Sequence, residues 1–263
     1  MSPLEAIAIG LAGLAAGTIN TVVGSGTLIT FPTLLAFGIP PVTANVSNTI
    51  GLAPGSLSGA IGYRRELEGQ RTRLIRLGSA SLLGGVAGAL LLLLLPSSAF
   101  DAIVPVLIVL GCVLVVVGPR IQRRVAARAE ERGGVPDRGA WWVWPGVFAT
   151  GVYGGYFGAA QGVLLMAILG IGVVDSMQRH NATKNVLALI VNGIAAVAFI
   201  ILDFVHIPGL EGGHVDWAVA LIIAVGSTIG GQLGATVGRR LPPNVLRAVI
   251  VLVGIVAVVT FVF

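Results

Sequence analysis

Residues 6–63 read AIAIGLAGLAAGTINTVVGSGTLITFPTLLAFGIPPVTANVSNTIGLAPGSLSGAIGY, a run without Asp, Glu, Lys or Arg. One membrane span needs about 20 apolar residues, so this run is long enough for more than one crossing. Other uncharged runs cover residues 77–100, 102–119, 139–174, 185–202, 217–238 and 248–263. The chain is 56% hydrophobic and 10% charged, whereas soluble domains carry about 25% charged residues. These values exclude a cytosolic enzyme, a disordered chain and a secreted disulfide scaffold, and they predict an all-α polytopic membrane protein.

Glycine and proline interrupt the uncharged runs and divide them into about ten predicted transmembrane helices. The predicted spans cover residues 5–22, 23–37, 43–62, 75–95, 99–118, 141–158, 162–174, 184–205, 216–237 and 244–263. The spans at 23–37 and 162–174 are short and broken, and each either crosses fully or forms a re-entrant segment. The 38 glycines suit this fold class, because small residues let membrane helices pack closely.

The basic residues predict the orientation of the chain in the membrane. All 16 fall into four groups, at residues 64–76, 120–138, 179–184 and 239–247. Lys and Arg concentrate on the cytoplasmic side of membrane proteins. Ten spans place all four groups on that side and both termini outside. The net charge of +5 is therefore explained by the cytoplasmic loops, and it gives no support to nucleic-acid binding.

The two halves of the chain resemble each other. GGVAGALLLLLLP at 84–96 and GGQLGATVGRRLP at 230–242 share one pattern at an offset of 146, and NVSNT at 45–49 pairs with NATKN at 181–185 at an offset of 136. We therefore divide the chain into a first transmembrane repeat (1–119), a basic cytoplasmic linker (120–139) and a second transmembrane repeat (140–263). Each repeat has five predicted spans, an odd number, so the second copy is inverted, a common plan in secondary transporters.

Polar residues within the predicted spans form two clusters at corresponding places in the halves. Unpaired polar groups cost several kcal/mol in a bilayer, so such clusters need a role. Each follows a glycine-rich break and a short apolar segment, and we expect it to cap the next helix. Because helix N-termini bind anions, two of them would form a small-anion site near the membrane midplane. The candidate substrate-binding residues are Asn20, Ser25, Asn45, Ser47, Asn48, Thr49, Tyr153, Gln161, Asn181, Thr183, Lys184 and Asn185.

Each candidate also has a purely structural interpretation. Lys184, the single lysine, either adds a charge to the site or extends to the cytoplasmic interface. The capping residues either cap alone or also line a substrate path, and Asn20 and Gln161 either bind substrate or join helices. Asp175 and Asp203, near span ends, are candidates for a coupling proton or for interface residues. No phosphate loop, catalytic set or metal motif occurs, so neither an enzyme nor a bound cofactor is predicted.

Several motifs resemble one known family across nearly the whole chain. They are INTVVGSG at 19–26, Phe31-Pro32, ANVSNT at 44–49, PGS at 54–56, YRREL at 63–67, YGGYFGAAQG at 153–162, and NATKN at 181–185 with Asn192. Together they resemble the TauE/SafE sulfite-exporter family, although Ser25 stands where relatives often have a third glycine. The resemblance implies an inner-membrane permease for small anions such as sulfite, sulfonates or related organic acids, often in the exporting direction.

The predicted mechanism is alternating access around a site between residues 24–49 and 158–185. The expected partners are a small anionic substrate and the lipid bilayer, with a homo-oligomer left open and no nucleic acid. Two alternatives remain at this stage. A passive anion channel would show flux that does not saturate, and a non-transporting membrane scaffold or sensor would show no flux.

Overall fold

The structure is a computed structural model that describes residues 1–131, 140–205 and 214–236, together with 248, 251 and 252. These residues form an all-helical protein, which confirms the all-α part of the predicted fold class. The helices are α1 (Pro3–Val22), α2 (Thr27–Ala36), α3 (Pro41–Gly62), α4 (Arg71–Leu94), α5 (Ser97–Glu131), α6 (Val143–Tyr156), α7 (Gln161–Gly172), α8 (Met177–Val205) and α9 (Trp217–Thr236), with a short 3-10 helix, Arg64–Leu67, before α4.

Five of the described helices are long and apolar enough to cross a membrane. They are α1, α4, the Ser97–Gly118 part of α5, α8 and α9. The apolar helices α2 and α7 have only 10 and 12 residues. At 1.5 Å per residue these helices are about 15 and 18 Å long, roughly half of the 30 Å hydrocarbon core. The sequence therefore predicted these two short elements correctly, while the tenth predicted span, 244–263, lies almost entirely outside the described residues.

Helix α5 is longer than the span predicted for it. It continues past residue 118 to Glu131 and contains 35 residues, or about 52 Å. The first part of the predicted linker, 120–139, therefore continues this helix, and residues 132–139 lie outside the described part of the chain. A helix of this length exceeds the hydrocarbon thickness by about 20 Å.

Helices from the two halves of the chain pack against each other in corresponding pairs. α1 lies along α9, and α6 lies along α4. A Cβ atom on Gly230 would overlap the carbonyl oxygen of Leu14, and one on Gly88 would overlap that of Val152. The repeated glycine motifs of α4 and α9 thus bring helix backbones into contact, as expected for small residues between membrane helices.

Helices α3 and α8 complete this arrangement. α3 and α8 contact each other, and α3 also packs on α9 while α8 packs on α4. An aromatic cluster joins α2 to the start of α5 and the end of α6. In this cluster the rings of Phe31 and Phe157 meet edge to face with centroids 5.0 Å apart, and Phe100 packs beside both. The short helix α2 is therefore held by buried aromatic contacts.

Candidate functional site

The loops that precede the two short helices touch each other. The backbone N–H of Gly162, at the start of α7, donates a hydrogen bond of 3.0 Å to the carbonyl oxygen of Gly24. Gly24 has φ of +87°, a conformation that favours glycine. A Cβ atom on either glycine would overlap the other residue's Cα. The crossing therefore requires glycine in both halves of the chain, and it brings together the two glycine-rich breaks recognised in the sequence.

The C-terminal end of α1 is bound by side chains of α8. Lys184, which is fully buried, donates from Nζ to the carbonyl oxygens of Asn20 at 2.9 Å and of Thr21 at 3.1 Å. The side-chain amides of Asn181 and Asn185 also donate to the Thr21 carbonyl, at 3.1 and 3.4 Å. The last carbonyls of a helix lack partners within the helix, so the N–H donors of these three side chains satisfy them.

Helix α3 makes the corresponding contacts in the other half. The Asn45 amide donates to the carbonyl oxygen of Tyr156, the last residue of α6, at 2.9 Å. Asn48 accepts a hydrogen bond from the Thr30 hydroxyl, and its amide lies 3.5 Å from the Thr27 hydroxyl oxygen. Polar side chains from α3 and α8 thus hold the end of the first helix of the opposite half.

Buried hydroxyls in the same clusters hold the residues that precede α9 and α4. The Ser47 hydroxyl accepts from the backbone N–H of Asp216 at 2.9 Å. The Thr183 hydroxyl donates to the side-chain oxygen of Gln70 at 2.9 Å. Asp216 in turn accepts from the N–H of Val219 and caps α9. These two hydroxyls therefore connect neighbouring elements through hydrogen bonds.

The prediction that the two clusters cap helix N-termini is wrong. α3 begins at Pro41, after Pro40, and α8 begins at Met177, one turn before its cluster. The Ser176 hydroxyl accepts from the N–H of Arg179 at 3.3 Å and caps α8 itself. Proline at the first helical position and serine at the N-cap are both favoured, and these signals were present in the sequence. The clusters lie inside their helices and bind the C-terminal carbonyls of neighbouring helices.

Several buried polar atoms of the candidate residues have no hydrogen-bond partner among the described residues. These atoms are Ser25 Oγ, Asn45 Oδ1, Gln161 Nε2 and Asn181 Oδ1, and the Tyr156 hydroxyl shares this property. Ser25 follows Gly24 directly, and Gln161 precedes Gly162, so both lie beside the crossing. Because most buried polar groups in proteins are paired, these atoms provide unused hydrogen-bonding capacity for a polar ligand.

Other candidates make bonds within their own half of the chain. The Thr49 hydroxyl donates to the Asn45 carbonyl one turn earlier in α3, at 2.9 Å. The Tyr153 hydroxyl donates to the Ala159 carbonyl and closes the loop that follows α6. The backbone carbonyl of Asn20 accepts from Lys184. The candidate residues chosen from the sequence did not include Thr27, Thr30, Tyr156 and Gln70. The repeat could have indicated Gln70, because Gln70 and Asp216 occupy equivalent positions at the offset of 146.

Asp175 lies in a charged group at the start of α8. Its carboxylate is 2.6 Å from an Arg73 nitrogen and 2.8 Å from Arg179 Nε. Burial acts to raise the pKa of Asp175, but hydrogen bonds from Arg73 and Arg179 outweigh burial, and the pKa is lowered. Asp203 accepts from the Trp217 indole at 3.2 Å and holds the start of α9. Both aspartates therefore serve as anchors between elements.

The structure has several helices that can cross a membrane, two half-length helices and a buried polar site beside the loop crossing. These features define a polytopic membrane protein. The family model described as "Sulfite exporter TauE/SafE" matches residues 9–261, and the chain belongs to this family. The resemblance inferred from the motifs is thereby confirmed.

Relatives of this chain are found in several bacteria. It is 24% identical to the probable membrane transporter protein YfcA of Escherichia coli (strain K12), over 97% of this chain and 89% of that protein. It is 26% identical to the probable membrane transporter protein ORF9 of Sinorhizobium sp, over 93% of this chain and 87% of that protein. No solved structure gives a significant match. The chain is therefore a multi-pass membrane transporter of this family.

Proposed function

We propose that the protein is a secondary transporter that moves small anions across the inner cell membrane by alternating access. Sulfite, sulfonates and related organic acids are the proposed substrates, and export is the proposed direction. The observation that carries this proposal is the full burial of Lys184 beside the loop crossing. Its Cδ lies 3.0 Å from the place a Cβ would occupy on Gly162. Ionisable residues inside a membrane bundle mark the path of a substrate or an ion.

Neutral donors near this lysine suit an oxyanion. Ser25 Oγ and Gln161 Nε2 are buried, lie beside the crossing and have no partner among the described residues. The Gln161 side chain packs directly against Gly154 of α6, where a Cβ would overlap it. An oxyanion accepts several hydrogen bonds at once, and bonds to a charged group are the stronger ones. Asn45 and Asn181 contribute indirectly, since they fix the helix ends that surround the site.

We further propose that the chain forms two inverted five-span repeats with basic loops in the cytoplasm and both termini outside. The paired packing of α1 with α9 and of α6 with α4 supports this arrangement. So do the glycine contacts, because Gly230 meets Leu14 as Gly88 meets Val152. In this scheme the two repeats exchange conformations, and the exchange opens the central site to one side of the membrane and then to the other.

Flux into liposomes tests the proposal. The purified protein is reconstituted, and uptake of a panel of labelled sulfite, sulfonates and carboxylates is compared with protein-free liposomes. We expect saturable uptake with counterflow for at least one anion, and loss of that uptake in Lys184→Gln. Flux that neither saturates nor shows counterflow would identify a passive channel. The absence of flux for every anion would contradict transport and favour a scaffold or sensor.

A further inference from the structure

We propose that Lys184 is the proton carrier of the transport cycle, and that its amine takes up one proton with each anion and releases it when the anion leaves. This inference rests on the proposed function and adds to it the coupling ion and the residue that carries it. Three features of the Lys184 environment support it: the lack of a counter-ion, the number of its hydrogen bonds and the neutrality of its neighbours.

Lys184 has no carboxylate partner within the described residues. The ion pairs found there join Asp175 to Arg73 and Arg179, and Asp203 to His214. Its own hydrogen bonds go to two backbone carbonyls. An ammonium group without a counter-ion is strongly disfavoured in a low-dielectric interior. The empty site is therefore stable with a neutral amine, and the ammonium form requires an anion beside it.

The elements that pack against α8 bring no charge into contact with Lys184 in the described part of the chain. α3 and α7 contain no titratable residue, and α1 contains only Glu5, at its opposite end. The titratable or charged groups of the other neighbours, and of α8 itself, are Arg64, Arg65, Glu66, Arg71, Arg73, Arg76, Tyr153, Tyr156, Arg179, His180 and Asp203. None of these groups forms a hydrogen bond or ion pair with the Lys184 amine in the structure.

The hydrogen bonds of Lys184 fit both protonation states. A neutral amine has two N–H groups and one lone pair, whereas an ammonium has three N–H groups. The two carbonyls, of Asn20 and Thr21, accept as many bonds as a neutral amine can donate. The remaining position on Nζ holds the lone pair in the empty site. Protonation at that position creates a third N–H, which then donates to the anion.

This scheme keeps the site neutral throughout the cycle. The empty site contains an amine, and the loaded site contains an ammonium and a monovalent anion. The proton comes from water on the side to which the site is open, and it returns to water on the side where the anion leaves. Only the N–H bond forms and breaks. One proton and one monovalent anion thus move in the same direction, and no net charge crosses the membrane.

The unaltered protein provides the first test. Isethionate is the probe, because this sulfonate is the anion of a strong acid and carries no proton of its own. If the liposome panel shows that the protein transports a carboxylate instead, the carboxylate is used at pH 8, where it is fully ionised. Uptake is measured together with the internal pH of the liposomes, reported by a trapped dye. We expect one proton to enter with each anion, at a rate that an imposed potassium diffusion potential does not change.

The outcomes separate this inference from the proposed function. Anion uptake that carries net charge and no proton would overturn the role of Lys184 and leave the transporter in place. The absence of any anion flux would overturn the proposed function itself. Uptake that is proton-coupled but unchanged in Lys184→Gln would show that another group carries the proton, and would also overturn the inference.

Lys184→Arg gives a second, independent test. A guanidinium stays protonated at every accessible pH, so it can hold an anion but cannot return empty as a neutral group. We expect this variant to exchange external labelled anion for internal unlabelled anion, while its net uptake falls to the protein-free level. Net uptake at the unaltered rate would contradict the proposal. If the arginine variant does not fold, the number of protons that enter with each anion in the unaltered protein still tests the proposal.

Discussion

At the scale of single residues, Ser25 and Ser81 are a matched pair. Both are fully buried, and the hydroxyl of each has no partner among the described residues. Only Ser25 lies at the loop crossing, whereas Ser81 lies in α4 near Gly151. Ser25→Ala should leave the unfolding temperature unchanged, since no hydrogen bond within the protein is lost. It should raise KM about ten- to a hundred-fold, because a hydrogen bond to a charged group contributes roughly 1.5–3 kcal/mol.

Liposome kinetics and thermal unfolding in detergent check this prediction together. Ser81→Ala is the control, and we expect it to change neither KM nor the unfolding temperature. Equal KM values for the two variants would place the substrate away from Ser25.

The charged group around Asp175 predicts a pH-dependent stability. Because the pKa of Asp175 is lowered in the folded protein, its ion pairs stabilise the fold above the ordinary carboxyl pKa of about 4. That stabilisation is lost as the pH falls through the lower folded value. The unfolding temperature of Asp175→Asn should therefore lie below that of the unaltered protein by a constant amount between pH 8 and about pH 5, and the gap should narrow below about pH 4.

Thermal unfolding of both proteins in one detergent across this pH range measures the gap. Asp101→Asn is the control, since Asp101 is exposed near the start of α5 and forms none of the ion pairs found in the described residues. A difference in unfolding temperature between Asp175→Asn and the unaltered protein that grows as the pH falls would contradict the lowered pKa of Asp175.

The sequence predicted the positions of the polar clusters but not their partners. Lys184 stood out as the single lysine, and the repeat located both asparagine clusters. Their partners are backbone carbonyls, of Thr21 for Asn181 and of Tyr156 for Asn45, which lie 160 and 111 residues away in the chain. A carbonyl left open at a helix end has no side-chain signature, so only the packing of helices reveals which one is bound.

At the scale of helices, the glycine contacts predict which substitutions the fold tolerates. Gly88→Ala and Gly230→Ala would each force a Cβ into a carbonyl oxygen of the facing helix. Each should cost about 1–3 kcal/mol of unfolding free energy, as is usual for an overpacked contact. Gly193→Ala in α8 is the control, because no atom lies within 4 Å of its added Cβ. That change should be neutral or stabilising by up to about 1 kcal/mol, since alanine favours the helix.

Equilibrium unfolding in mixed micelles ranks these three variants. The prediction fails if Gly230→Ala unfolds at the same denaturant concentration as Gly193→Ala. We expect both the α4 variant and the α9 variant to lose transport as they lose stability.

The boundaries of two helices differ from those predicted from the sequence. The second span was predicted from residue 23, but α2 begins at Thr27 because residues 23–26 form the loop that touches Gly162. The eighth span was predicted from Lys184, but α8 begins at Met177. The first turns of α8 are polar, so hydropathy does not identify them as part of a membrane helix. They are nevertheless buried by contacts such as that of Thr183 with Gln70.

At the scale of the whole molecule, the proposed topology predicts which surfaces face the cytoplasm. Cysteines are introduced one at a time at Glu68 and Ser98, both exposed, after Cys112→Ser removes the single native cysteine. Glu68 lies in the basic loop before α4, and Ser98 lies in the first turn of α5. In intact cells, a thiol reagent that does not cross the membrane should label the cysteine at position 98 and spare the one at 68.

Inside-out vesicles serve as the matched measurement and should reverse this labelling. Labelling of both cysteines from one side would contradict the proposed topology. It would also require that the α4 helix between them does not cross the membrane, despite its length of 24 residues.

Because α1 lies along α9 and α6 lies along α4, neither half of the chain covers the glycine faces of its own first and fourth helices. On the proposed inverted arrangement, a half-length ancestor would have found its partner only in another copy inserted in the opposite direction. Such an ancestor needed little bias in its basic loops, since a strong bias would insert every copy the same way. On the same proposal, we expect that the arginine-rich loops arose after gene duplication joined the two copies, when each half could specialise in one orientation.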